Sequence, residues 1–231
     1  MGEGTQDDGL GYSKVSRGLF ITFEGPEGSG KTTQARILIE RLKAAGQDVV
    51  YAREPGGTAT GELIRGILQH DTAGETIYPE TEVFLFAASR SQLVRSVIRP
   101  ALARGAHVIC DRFADSTTAY QGYGRGFDVE QMIAINDLAI ADTVPDRTFL
   151  LDVDISLGFE RLAARQRELF VASDRIEREA RTFHEKVRQG YLALAARWPG
   201  RFDVLDGSRP PEEVTELIWS KVQDVLTQRT A

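Results

Sequence analysis

The stretch Gly25-Pro26-Glu27-Gly28-Ser29-Gly30-Lys31-Thr32 fits the spacing G-x-x-x-x-G-K-[ST] at every fixed position. The apolar, β-prone run Leu19-Phe20-Ile21-Thr22-Phe23 precedes it, and Lys31 to Ala45 follows with the pattern of an amphipathic helix. A strand, a glycine loop and a helix in that order turn backbone N–H groups and a helix N-terminus toward an anion. A glycine-rich turn can join a strand to a helix and bind nothing. However, a lysine at the first turn of a helix has no structural task. Lys31 can reach the outer phosphates of a nucleoside triphosphate, and the Thr32 hydroxyl can ligate Mg²⁺.

Outward from that loop, apolar strand-like runs alternate with helical patterns along the chain. Strands are expected at Leu19–Glu24, Val49–Ala52, Ala106–Asp111, Thr148–Val153 and Phe202–Leu205. After the first helix, with Gly46 at its C-terminal stop, helices are expected at about Thr60–Gln69, Glu80–Arg104 (kinked or broken at Pro100), Ser116–Gln121 and Val129–Ala141. Others follow at Ser156–Arg165, Arg175–Arg197 and from Pro210-Pro211 to about Thr227. Arg53-Glu54-Pro55-Gly56-Gly57 and Gly122-Tyr123-Gly124-Arg125-Gly126 read as loops, and Gln166–Asp174 is weakly patterned. This alternation predicts an α/β domain with a mostly parallel five-stranded sheet covered by helices on both faces. Ligands in such sheets bind beyond the carboxyl ends of the strands. Gly25–Thr32, Arg53–Gly57 and Asp111-Arg112-Phe113, which follow the first three strands, should therefore line one crevice.

The chain has 231 residues, which suits one large α/β domain, and a formal charge of −6 without a Lys/Arg block. That balance argues against nucleic acid or an anionic membrane as a partner. The single cysteine, Cys110, lies in an apolar run and reads as a buried thiol; disulfide frameworks and zinc spacings are excluded. No apolar run is long enough to span a bilayer. Residues 1–17 read as a flexible extension before a single domain over 18–231, and the polar start lacks the apolar core of a secretory signal. A cytoplasmic location is the expectation.

Arg112, after Asp111 at the end of the third strand, can fork onto a phosphate or carboxylate, and Asp111 can orient it or hold the Mg²⁺ shell through water. Arg53 is a second cation aimed at the same crevice. The pair points to a second anion besides ATP, hence a phosphorylated acceptor. Glu27 inside a phosphate loop makes sense only if it turns away from the phosphates, toward a donor such as a sugar hydroxyl. Phe84 and Phe86 cannot share a helix face, so one is expected in the core and the other lining a pocket, stacked on a flat base. Arg90, four residues after Phe86, shares its face and can bond the base edge. Arg165, Arg167 and Arg175 flank the weakly patterned stretch. The phosphate loop carries no arginine, so a closing lid is the natural source of positive charge for the transferred phosphoryl group.

The segments Gly-Pro-Glu-Gly-Ser-Gly-Lys-Thr-Thr, Arg-Glu-Pro-Gly-Gly-Thr, Asp-Arg-Phe followed by Ser-Thr-Thr-Ala-Tyr-Gln-Gly, and Leu-Asp-Val together resemble the thymidylate (dTMP) kinase family, from about Gly18 to Thr227. The resemblance implies a three-layer P-loop fold like that of nucleoside monophosphate kinases, with a short lid at about 165–176. It implies the reaction of ATP with dTMP to give ADP and dTDP, with Mg²⁺, in a homodimer. By motif match, Gly25 to Thr33 would hold ATP, with Arg161 packed on adenine. Arg53 and Arg112 would hold the dTMP phosphate, Phe86 would stack on thymine and Arg90 would bond its carbonyl edge. Thr117 and Gln121 would lie near the base, Tyr120 beside the sugar 2′ carbon and Glu27 at the 3′-hydroxyl. The pattern is similar to the bacterial subclass that has no basic residue in the phosphate loop and arginines in the lid. Gln166–Asp174, with Leu169-Phe170-Val171, is longer and more apolar than a short lid, which leaves open which of Arg165, Arg167 and Arg175 reaches the phosphoryl group.

An acceptor that is itself a phosphate needs no strong general base, since its second pKa is about 6. His70, His107 and His184 all lie outside the crevice motifs and read as structural or surface residues. The alternatives are a deoxynucleoside kinase, for which Glu54 could serve as base, or another nucleoside monophosphate kinase. A nucleotide switch is disfavoured because no Asn-Lys-x-Asp segment is present.

Overall fold

The computed structural model describes residues 17–70, 74–169 and 174–230. Five strands form one parallel sheet: β1 (Phe20–Glu24), β2 (Val49–Arg53), β3 (His107–Asp111), β4 (Arg147–Asp152) and β5 (Phe202–Asp206). Their spatial order is β2-β3-β1-β4-β5. The central strand β1 is buried along its whole length, so its near-continuous apolar run is what a strand covered on both faces requires. Alternation along it sorts the two layers. Ile21 and Phe23 pack against α1 (Lys31–Ala44) and α9 (Pro211–Thr230). Phe20 faces the opposite layer, where α3 (Pro79–Leu93) covers one half of the sheet and α8 (Arg181–Arg197) the other. Thr22 and Glu24 share that second side, and the Thr22 and Thr148 hydroxyls bond across the sheet at 2.8 Å.

Register sets the site. Phe23 lies opposite Asp111 on one side and Phe149 on the other, and Arg53 also lies opposite Asp111. The carboxyl ends of β1, β2 and β3 are therefore level, and the crevice opens at β1, where the connections divide to the two sides of the sheet. The five-stranded parallel sheet with helices on both faces is as the sequence predicts.

Several elements differ from expectation. Near Pro100, where a kink or break is expected, the α-helix is interrupted but not ended: α3 passes through a π turn (Val94–Ile98) into α4 (Arg99–Ala103). After α2 (Ala59–His70) and β3, helix α5 (Ala114–Thr117) runs on through a π turn (Thr118–Gly124), where the glycines had suggested a loop. A Cβ on Gly124 would come within 2.7 Å of the Phe183 ring, so this glycine serves close packing against α8. Following α6 (Val129–Ile140), helix α7 extends over Ile155–Leu169, past Arg165, because Gln166, Arg167 and Glu168 are good helix formers. α8 starts at Arg181 rather than Arg175. Upstream, the Glu177 amide donates to the Asp174 carboxylate (2.8 Å) and the Asp174 amide to the Glu177 carboxylate (3.0 Å). This reciprocal cap starts a turn that ends at the extended Ala180. Phe84 is not in the core; it is 63% exposed. Residues 1–16 of the expected extension and 170–173 of the expected lid lie outside the described residues.

Candidate active site

The phosphate loop is shaped by its glycines. Gly25 has φ 139°, and a Cβ there would stand 2.4 Å from the Leu151 carbonyl oxygen, so no other residue lets the loop leave β1 so close to β4. Within the loop the Lys31 ammonium donates to the carbonyls of Gly25 (3.0 Å) and Pro26 (2.8 Å) and to Ser29 Oγ (3.3 Å). Burial, together with the nearby Arg112, pulls the Lys31 pKa down to about 8. Beside it the Thr32 hydroxyl donates to the Asp111 carboxylate at 2.5 Å.

A cavity of about 420 Å³ opens from this loop across the ends of β1, β2 and β3. Glu27, Arg53, Phe86, Arg90, Arg112, Thr117, Tyr120 and Gln121, each predicted for the acceptor, all line it. Arg112 sits at its centre with φ 66°, a left-handed conformation that a non-glycine residue holds only when its surroundings enforce it. Its guanidinium donates to Glu27 (2.7 Å), the Tyr191 hydroxyl (3.1 Å), Ser116 Oγ (3.3 Å) and the Gly25 carbonyl (3.3 Å). Burial works against the charge, yet Glu27 and the other surrounding acceptors hold the Arg112 pKa well above its ordinary value. Burial likewise opposes ionisation of Glu27, but Arg112, Lys31 and the Tyr120 hydroxyl, which donates to it at 2.6 Å, bring its pKa down to about 2. Glu27 thus faces Arg112 and Tyr120, away from the loop amides.

Arg53 makes a bidentate pair with Glu62 at 2.9 and 2.8 Å; both side chains are over a third exposed, and an ion pair in that setting is weak enough to exchange for a phosphate. Arg65 of α2, a cation the sequence reading missed, also lines the cavity and donates to the Pro55 carbonyl at 2.9 Å. At the far end Arg90 lines the cavity, is 1% exposed and is held from several sides. It forks onto Glu54 (2.6–3.1 Å) and donates to Asn136 (2.6 Å) and Thr117 (2.9 Å). This locks Glu54 as an ion-pair partner and removes it as a free base. Gln121 gives its amide N–H to Glu82 (2.7 Å), a carboxylate that also accepts from Arg125.

The other side of the loop differs. A second cavity of about 270 Å³ lies behind the loop, lined by Gly28 to Gly30, Thr33, Leu162 and Arg161, whose guanidinium donates to the Gly207 carbonyl at 2.7 Å. Arg165 lines both cavities, 3.8 Å from Glu177. Arg167 is exposed and lines neither. Arg175 points elsewhere: it donates to the Leu68 carbonyl (3.0 Å) and bonds Glu82. It straps the turn that begins at Asp174 to α2 and α3.

The histidines stay out of both cavities. His107 Nδ1 accepts from the Leu19 amide at 2.9 Å, His184 is buried against Phe159 and Phe183, and His70 is exposed at the end of α2. Cys110 is buried and its thiol donates to the Arg112 carbonyl at 3.1 Å. Glu24, Ser116 and Tyr191 are the other site residues that sequence reading missed. Glu24 looked like the last residue of a strand, and Tyr191 lies on a helix far along the chain. The signals were the position of Glu24 directly before Gly25 and of Ser116 at the head of the Ser-Thr-Thr-Ala-Tyr-Gln-Gly segment.

Comparison with known proteins gives a consistent result. The thymidylate kinase family profile matches residues 23–218. The chain is 50% identical over 210 residues to the thymidylate kinase of Pelotomaculum thermopropionicum, covering 91% of this chain and 95% of that protein. It is 49% identical over 210 residues to that of Deinococcus radiodurans, covering 91% and 98%. A crystal structure of thymidylate kinase from Ehrlichia chaffeensis superposes with a TM-score of 0.71 at 35% identity, covering 90% of this chain and 99% of that one. With a phosphate-loop motif, an arginine-lined cavity beside it and a matching fold, the chain belongs to the thymidylate kinase family.

Proposed function

We propose that the protein transfers the γ-phosphoryl group of ATP to dTMP, giving ADP and dTDP. The observation that carries this reading is the cation-lined acceptor end of the larger cavity. Arg112, Arg53 and Arg65 converge there across from Lys31, which suits two anions meeting end to end. Lys31, now bonded to loop carbonyls, would exchange them for the β- and γ-phosphates. Arg112 and Arg53 would hold the 5′-phosphate of dTMP. Phe86 would stack on the base, Arg90 would bond its carbonyl edge, and Thr117 and Gln121 would lie near it. Glu27 would accept from the 3′-hydroxyl, with Tyr120 packed where a ribose 2′-hydroxyl would sit. Arg161 would pack on adenine in the second cavity.

The transferred group carries charge on its oxygens, so catalysis rests on positioning and positive charge rather than on a base. Arg165 is the lid arginine best placed to supply it, since it lines both cavities. Thr32 Oγ1 and the Asp111 carboxylate, in contact beside the loop, are the hard oxygen donors that Mg²⁺ takes. When bound there, the ion would neutralise charge on the phosphate oxygens.

A deoxynucleoside kinase fits less well, because Glu54 is consumed by Arg90. A homodimer is part of the reading. Leu63 on α2, Phe84 on α3 and Leu138 on α6 are 74%, 63% and 84% exposed on adjoining helices. A cytoplasmic setting goes with ATP as donor; among the described residues no helix is long and apolar enough to cross a membrane. An ADP-release assay with ATP, Mg²⁺ and a panel of nucleoside monophosphates and free nucleosides tests the proposal. Turnover should be greatest with dTMP and negligible with thymidine. Preference for a free nucleoside would overturn it.

A further inference from the structure

Behind Arg112 lies a buried polar cluster that no phosphate loop requires. Glu24 ends β1, is 0% exposed, and points to the α8 side of the sheet. One carboxylate oxygen accepts the Phe113 amide at 2.7 Å, which pins the backbone directly after Arg112. The other accepts from Ser116 Oγ at 2.6 Å and from the Tyr191 hydroxyl at 3.0 Å. These same two hydroxyls face Arg112, at 3.3 and 3.1 Å. Ser116 and Tyr191 are themselves 2.8 Å apart.

The proton count of this cluster is informative. Each hydroxyl has one proton to give and lone pairs to offer. The Arg112 guanidinium only donates. A carboxylate that only accepts keeps both hydroxyl protons inside the cluster, on its own oxygen or between the two hydroxyls, and leaves lone pairs directed at the guanidinium. With a neutral group in that place, one hydroxyl proton would turn toward Arg112 and oppose it. We propose that Glu24 is a positioning residue for the acceptor phosphate: its carboxylate orients Ser116 and Tyr191 so that together they hold Arg112, in its left-handed conformation, on the phosphate of dTMP. The proposal rests on the functional reading above for the identity of the anion.

The charged groups around Glu24 agree with this role. Arg112 and Lys31 are the cations that interact with it. Asp115 is the opposing anion, held by Arg201 at 2.6 and 2.8 Å; Cys110 and Tyr191 complete the surroundings. Burial, then Asp115, raises the Glu24 pKa to about 7, so the orienting charge is present above neutrality and fades below it.

A double-mutant cycle on the full chain tests the inference, with dTMP and thymidine binding measured by calorimetry at pH 8 for wild type, E24Q, R112A and the double variant. The wild-type preference for dTMP over thymidine is the separate control for the functional reading; its absence would remove both. Given that preference, E24Q should weaken dTMP about tenfold, leave thymidine within about twofold, and add nothing further in the R112A background. Equal losses for both ligands, unchanged dTMP affinity, or full additivity with R112A would overturn the inference. If E24Q does not fold, Y191F carries the same test, with an expected loss for dTMP of about threefold and none for thymidine.

Discussion

The two ends of the crevice are built differently. At the acceptor end the two buried arginines are already held. Arg112 is fixed by Glu27, Tyr191 and Ser116, and Arg90 by Glu54, Asn136 and Thr117. At the donor end Lys31 is bonded to its own loop's carbonyls, and Arg165 is exposed and 3.8 Å from its partner. A preset pocket spends little on ordering when it binds, which favours selectivity. Cations on provisional contacts can follow the phosphates as the transferred group moves. The comparison assigns discrimination between substrates to the first end and rate to the second.

The largest expected effect lies at the donor end. Lys31→Ala should lower kcat about 10³-fold with an unchanged melting temperature. Near-wild-type turnover would show that the loop does not hold ATP. Arg112→Ala should weaken dTMP about 100-fold and thymidine far less, because the loss falls on the phosphate and also leaves Glu27 unpaired. Equal loss for both ligands would mean that this end reads something else.

Lys31 sharpens the contrast through pH. With its pKa at about 8 in the free protein, it loses its charge above that pH, so kcat/KM for ATP should fall toward tenfold per unit there. Glu27, at about 2, should contribute no acid limb between pH 4 and 7. A profile flat to pH 10 would contradict the burial assigned to the lysine.

The lid arginines separate next. Arg165→Ala should cost about tenfold or more in kcat. Arg175→Ala should change kcat less than about threefold and instead lower stability by about 1–2 kcal/mol, since Glu82 keeps Arg125 when the strap is lost. The reverse order would transfer the catalytic role to Arg175.

The glycine loop, the arginines after the second and third strands and the five-strand alternation were legible in the sequence because each is local: a motif, a strand end, a period. The position of Arg90 was legible but its commitment was not, because Glu54 and Asn136 reach it from distant segments. The same limit hid Glu24 and Tyr191, which meet only when β1 and α8 pack. Glycine misled at Gly124, where it serves close packing against the Phe183 ring rather than a loop. Which way Arg175 points was not legible either, because its partners Leu68 and Glu82 come from distant segments.

The central claim is that the acceptor end is a preset cation waiting for a phosphate monoester. Calorimetric titration of the wild-type protein with dTMP and with thymidine tests it most directly. The account predicts dTMP tighter by about 100-fold, with a salt-sensitive affinity that thymidine does not share. Equal affinities, or no binding of either, would contradict it.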